Sequence, residues 1–186
     1  MPTTSPRVQD VLDGLVDLVL AEGFARLGVA DLARRLQCSK TTLYAVASSK
    51  EQIVERAVRE FFRRSTERVD AAVDPEADPL VRIDQYLAAI ARELAPASEA
   101  FFEDVADFEP ARRIYQHNTR AAADRVRDLV QAAAPSADGE FVGAVAGLVM
   151  EAIHRGELQD ATGRDDAASY RALGALVLAA VGQPRP

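Results

Sequence analysis

Only two of the chain's 22 basic residues are lysines, Lys40 and Lys50, and they bracket the short polar run Lys40-Thr41-Thr42-Leu43-Tyr44. Each follows a serine suited to capping a helix, Ser39 before Lys40 and Ser49 before Lys50. A lysine beside a helix N-terminus joins a mobile cation to unsatisfied backbone N–H groups, and both attract phosphate. Thr41 and Ala45 fall on the outer face of the same short helix. A threonine there can hydrogen-bond a base edge or touch a thymine methyl, whereas an alanine can only touch the methyl. Arg7 stands just ahead of the first apolar stripe, where it can add a backbone or minor-groove contact.

These residues need a platform, and the flanking sequence supplies one. Val29 to Ile53 reads as two short helices, a tight turn and the start of a longer helix, with Leu32, Ala33 and Leu36 giving the first an apolar face. A polar helix held up by two apolar ones is how helix-turn-helix proteins present their second helix to the DNA major groove. Ser49 with Gln52 forms a capping box for the longer helix, which carries Ile53, Ala57, Val58, Phe61 and Phe62 and runs to about Val73. Ahead of the platform, Val8, Val11, Leu12, Leu15, Leu18 and Val19 form a helical stripe, and Gly23 is placed to end it.

The net charge of −7 argues against nucleic acid until it is divided. Residues 1–68 hold 11 Lys+Arg against 9 Asp+Glu, a balance of +2, and residues 69–186 carry −9. The acidic load therefore lies outside the stretch with the lysines. At 186 residues, 48% apolar and 27% charged, the chain is long enough for one or two ordinary globular domains. Abundant alanine, few aromatics and no tryptophan favour helix over sheet. The start, MPTTSPR, does not resemble a signal peptide. The longest apolar run, Phe141 to Met150, is far short of the ~20 residues of a membrane span. One cysteine forms no internal disulfide, which fits a cytoplasmic location.

Beyond the break Asp74 to Pro79, the pattern stays helical. Leu80, Ile83, Leu87, Ile90 and Leu94 make one stripe; Phe101, Phe102, Val105 and Phe108 mark a short aromatic helix; Pro110 opens a long helix through Ala133. Two further helices, about 140–156 and 165–181, are apolar nearly all round, which predicts burial against both the core and a partner subunit. The expected fold is all-α with about nine helices: residues 1–48 as the helix-turn-helix domain, 49–73 as a connecting helix, and 74–186 as a second helical domain. Two histidines and one cysteine offer no paired metal spacing, and no nucleophile elbow, phosphate loop or dinucleotide fingerprint is present. No enzyme, metal or cofactor is expected. Cys38 reads as a small buried hydrophobe, with a redox switch as the other reading. His154, on one helical face with Gly143, Gly147 and Met150, reads as close helix packing or a subunit interface.

The order of these pieces resembles the TetR family of bacterial transcriptional repressors. The resemblance is specific over residues 8–62: a first helix ending in AEGF, then VADLARRL, SKTTLY and SKEQI. Over 63–186 it lies only in the number and order of helices. It implies a repressor that binds a palindromic double-stranded DNA operator as a homodimer and leaves when a small-molecule effector fills the second domain. Ser39, Lys40, Thr42, Tyr44 and Lys50 match the family's backbone-contact positions, with Thr41 and Ala45 facing the bases. For the effector, Asn118 and Arg125 fall on or near an apolar stripe, and Tyr86, Phe101, Phe102, Phe108, Tyr115 and His117 are the other candidates. The last two helices are the expected dimer interface. The chain departs from the family pattern at Gly28, where a Ser or Thr cap is usual. It departs again at Gln37, where a turn glycine is usual and a left-handed backbone is required, and at Ala45-Val46-Ala47. These departures keep a second reading open, a ligand-binding dimer that has lost sequence-specific DNA binding.

Overall fold

Side-chain caps set most of the helix starts. Ser39, Asp78, Ser98 and Asp138 each accept a hydrogen bond from a backbone N–H of the following turn. The computed structural model describes residues 6–181. Ten helices occupy them: α1 Pro6–Glu22, α2 Val29–Arg35, α3 Lys40–Tyr44, α4 Lys50–Ala71, α5 Pro79–Leu94, α6 Glu99–Asp107, α7 Glu109–Ala133, α8 Gly139–His154, α9 Glu157–Thr162 and α10 Asp166–Val181. No strand occurs among the described residues. The helix beyond the expected nine is α9, a short piece flanked by the left-handed Gly156 (φ 73°) and Gly163 (φ 71°). Ser49 caps α4 by accepting from Gln52 N at 3.2 Å. The Gln52 side chain reaches back one residue further than a standard capping box, to Ser48 N at 3.2 Å.

Two compact units emerge, Met1–Arg64 with Ala97–Tyr115, and Ser65–Pro96 with Gln116–Pro186. The divisions fall inside α4 and α7. The break at Asp74 to Pro79 is the α4–α5 turn of the second unit.

In the first unit, Leu12, Leu15 and Val19 of α1 are buried with Leu32, Leu43, Val46, Ile53, Ala57, Val58 and Phe61. α6 is fixed to the end of α1 by backbone bonds: Ser98 N donates to Leu20 O at 2.8 Å, and the Asp104 carboxylate accepts from Phe24 N and from Ala25 N, the latter at 2.8 Å. Gly23 makes this seat possible. Its φ is +72°, and a Cβ there would lie 2.5 Å from Asp104 Oδ2 and 3.0 Å from Ala100 O. Edge-to-face aromatic pairs continue the core: Phe24–Phe108, Phe61–Phe101 and Phe62–Tyr115, with centroids 5.9, 5.9 and 6.2 Å apart.

In the second unit, α10 packs on α5 and α8. Ile83, Leu87, Leu129, Met150, Ile153, Tyr170 and Leu173 are almost fully buried there. The small residues of α8 bring it against α7 of the same chain. A Cβ on Gly143 would lie 2.8 Å from Arg127 Cβ, and one on Gly147 would lie 3.1 Å from Ala123 Cβ. His154 Nε2 meets Tyr170 Oη at 2.9 Å, and burial holds its imidazole down to about 3 from the usual 6.5. The face shared by Gly143, Gly147, Met150 and His154 is thus intrachain packing.

Candidate nucleic-acid interface

The turn before α3 is built from backbone bonds that the sequence would ordinarily assign to glycine. Gln37 N donates to Arg34 O at 3.2 Å and Cys38 N to Ala33 O at 2.9 Å, the paired bonds of a Schellman ending on α2. That ending needs a left-handed residue, and Gln37 takes it with φ 49°, the one positive φ outside glycine among the described residues. The strain costs about 1–2 kcal/mol. Ser39 begins α3 directly afterwards, with its Oγ 3.0 Å from Thr42 N and 2.8 Å from Thr42 Oγ1. At the other end of α2, Gly28 has no side chain to offer, and Asp31 reaches back to accept from Gly28 N at 3.2 Å. The C-terminal end of α2 is closed despite Gln37, while at its start only the Gly28 N–H gains an acceptor and the first turn has no side-chain cap.

α3 is anchored from below and bare above. Leu43 and Val46 are buried, at 0% and 2% exposure, so the Ala45-Val46-Ala47 segment still puts an apolar side chain into the core at the end of α3. Arg56 of α4 donates to Val46 O at 2.6 Å and ties the end of α3 to the long helix. Lys40, Thr41, Tyr44 and Ala45 are exposed together on the outer side, Tyr44 at 47%. Ser39 is exposed at the start of the helix, while Thr42 is half-buried. Lys50 is also half-buried, and its ammonium donates to Ala25 O at 3.0 Å, clasping the α1–α2 loop. Two of its three N–H groups are left for other acceptors.

The ion pairs sort the cations of this unit. Arg34 pairs with Asp31, Arg35 with Glu22, Arg59 with Glu55, Arg63 with Glu60, and Arg64 with Asp13 and Glu60. The two arginines beside Glu60 hold its carboxyl down to about 2. Arg7, Arg26 and Lys40 are exposed and have no carboxylate within ion-pairing distance among the described residues. Nothing in the sequence marks Arg26; the structure sets it next to Ala25, whose carbonyl holds Lys50. The cations that remain available thus stand on α3, at the start of α1 and on the α1–α2 loop. Cys38 is half-buried, and burial pushes its thiol up, against thiolate chemistry.

Residues 11–57 match the family described as "Bacterial regulatory proteins, tetR family". They are a TetR-family domain. The whole chain has the TetR-family fold. The fatty acid degradation regulator FadR from Bacillus halodurans superposes with a TM-score of 0.70 at 12% identity, covering 95% of this chain and 96% of that one. A putative transcriptional regulator from Saccharomonospora viridis, solved with choline, gives 0.70 at 16% identity over 91% and 94%. A TetR-like transcriptional regulator from Rhodococcus sp. RHA1 gives 0.64 at 19% identity over 95% and 96%. No curated protein sequence matches the chain significantly.

The effector candidates named from the TetR resemblance divide between the two units. Phe101 and Phe102 are buried in the first unit, where Phe108 and Tyr115 are half-buried in the same aromatic set. Tyr86, Asn118 and Arg125 lie in the second unit, Tyr86 buried and the other two half-buried. Asn118 Oδ1 accepts from Thr66 Oγ1 at 3.5 Å, a long contact. His117 is exposed. A helical stripe fixes the face a residue occupies but not the neighbour it meets. No group of three or more metal-ligating side chains is assembled among the described residues, and no described helix is long and apolar enough to cross a membrane.

Proposed function

We propose that the chain is a ligand-responsive repressor that binds a palindromic DNA operator as a homodimer. The observation that carries this reading is the outer face of α3, with Lys40, Thr41, Tyr44 and Ala45 exposed together over a fully buried Leu43. In it, Thr41 and Ala45 read base edges, while Ser39, Lys40, Thr42, Tyr44 and Lys50 hold the phosphate backbone, joined by Arg26.

The dimer forms through α8 and α10. Phe141, Val145 and Leu148 are spaced along one face of α8 and are 66%, 38% and 67% exposed, and Leu176 of α10 is 67% exposed beside alanines. An apolar face of this kind is covered when a second copy meets it about a twofold axis, giving a four-helix interface. Two recognition helices about 34–36 Å apart then reach successive major grooves. An effector that prefers another arrangement of the subunits lowers operator affinity by its differential binding to the two states.

The test is a footprint on the DNA upstream of the chain's own gene. An inverted repeat should be protected by dimer. No protected site at micromolar protein would favour the second reading, a ligand-binding dimer without operator recognition.

A further inference from the structure

The second unit carries an open surface pocket of about 670 Å³ lined by Asp70 and Ala71 at the end of α4, Val73 and Pro75 of the following turn, Arg82 of α5 and Arg125 of α7. Many of the other described arginines are held in ion pairs. Neither Arg82 nor Arg125 has a carboxylate within ion-pairing distance among the described residues, although Asp70 lines the same pocket. Arg82 Nε is shielded from solvent and has no hydrogen-bond acceptor. A shielded guanidinium N–H without an acceptor is costly, and the great majority of buried polar groups have a partner. Neighbouring acids are engaged elsewhere: the Asp74 carboxylate accepts from Glu76 N at 2.9 Å, and Asp78 caps α5 through Leu80 N at 2.9 Å. Gln85 Oε1, which accepts from Asp74 N at 2.9 Å, fixes the turn itself.

We infer that this pocket takes a small organic monoanion, a carboxylate held between Arg82 and Arg125. Guanidinium groups present their N–H donors in a planar fork that matches a carboxylate, and a carboxylate supplies the acceptor that Arg82 Nε lacks. The charge count selects a single negative charge, since two arginines and Asp70 sum to +1. Ala71, Val73 and Pro75 line the same pocket with apolar surface, suited to a short hydrocarbon tail. The inference rests on the effector-responsive reading above and names the class of effector.

The experiment titrates the full-length protein with straight-chain sodium carboxylates from butanoate to decanoate, with the matching alcohols, inorganic phosphate and choline chloride as controls. At least one carboxylate should bind once per chain, while its alcohol and choline do not. Arg82→Gln and Arg125→Gln should each weaken it by about tenfold or more, and Arg125→Lys should fall between, keeping charge without the fork. Thermal unfolding of each variant without ligand separates lost binding from lost fold. Failure of every carboxylate to bind, binding that the arginine substitutions leave unchanged, or equal binding of phosphate overturns the proposal. Operator affinity is measured beside it. Carboxylate binding through both arginines with unchanged operator affinity would leave the anion site standing and refute effector control. Release by choline or an alcohol alone would do the reverse.

Discussion

The two units expose opposite kinds of surface. In the first, α3 turns Leu43 inward and leaves lysine, threonine, tyrosine and alanine outside. In the second, α8 and α10 are apolar inside and outside, and Leu148 is as bare as any large apolar side chain described. A leucine at 0% exposure and one at 67% do different jobs. The first holds a fold together, and the second waits for another surface. On the function proposed above, nucleic acid and a second subunit would meet different helices.

Substitution of these two leucines has the largest expected effects. Leu43→Ala should cost about 2–5 kcal/mol of stability, as for other fully buried leucines, seen as a lower denaturant midpoint with the dimer intact. Leu148→Glu should leave unfolding of the chain itself little changed but weaken self-association by about a hundredfold or more, because a carboxylate would be buried without a partner. Sedimentation equilibrium reads the second effect directly. Equal responses of both variants in both assays would erase the distinction between a core leucine and an interface leucine.

Asp104→Ala comes next in size. It strips an acceptor from Phe24 N and Ala25 N, and should cost about 1–3 kcal/mol. Amide hydrogen exchange at these two residues should accelerate in the variant; unchanged exchange would mean the carboxylate is not their acceptor.

A pH dependence is expected in the second unit. His154 stays neutral in the folded protein because burial holds it down to about 3, while the unfolded chain takes up a proton near 6.5. Its contribution is therefore intact above about pH 6.5 and is lost as pH falls from there toward 3, at no more than about 1.4 kcal/mol per pH unit. The difference in stability between wild type and His154→Gln, followed from pH 7 to 4, should narrow as pH falls. A constant difference would show that the folded protein protonates this ring as readily as the unfolded chain.

What was legible in the sequence was mostly local. Ser39 and Ser49 act within a few residues of themselves, as does Gly23 in ending α1, and so does Gln37, whose left-handed backbone follows from its place after α2. The apolar stripes mark the helices to within a few residues, and only the short α9 carries no stripe of its own. The seat of α6 was not legible, because Asp104 and Phe24 are 80 residues apart. Nor was the clasp of Lys50 on Ala25 O, or the service of Gly143 and Gly147 to α7. The effector candidates suffered most from this. Tyr115 and Asn118 are less than one turn apart on α7, yet they belong to different compact units.

On the function proposed above, α3 grips DNA through the outer face that Lys40 opens. Its most direct test is the affinity of wild type and Lys40→Ala for the footprinted site, measured by fluorescence anisotropy across a salt series. If each subunit places Lys40 on one phosphate, the slope of log K against log salt should fall by about 1.8 per dimer, with binding weakened about equally on all sequences. An unchanged slope would mean that Lys40 meets no phosphate and that α3 does not grip DNA in this way.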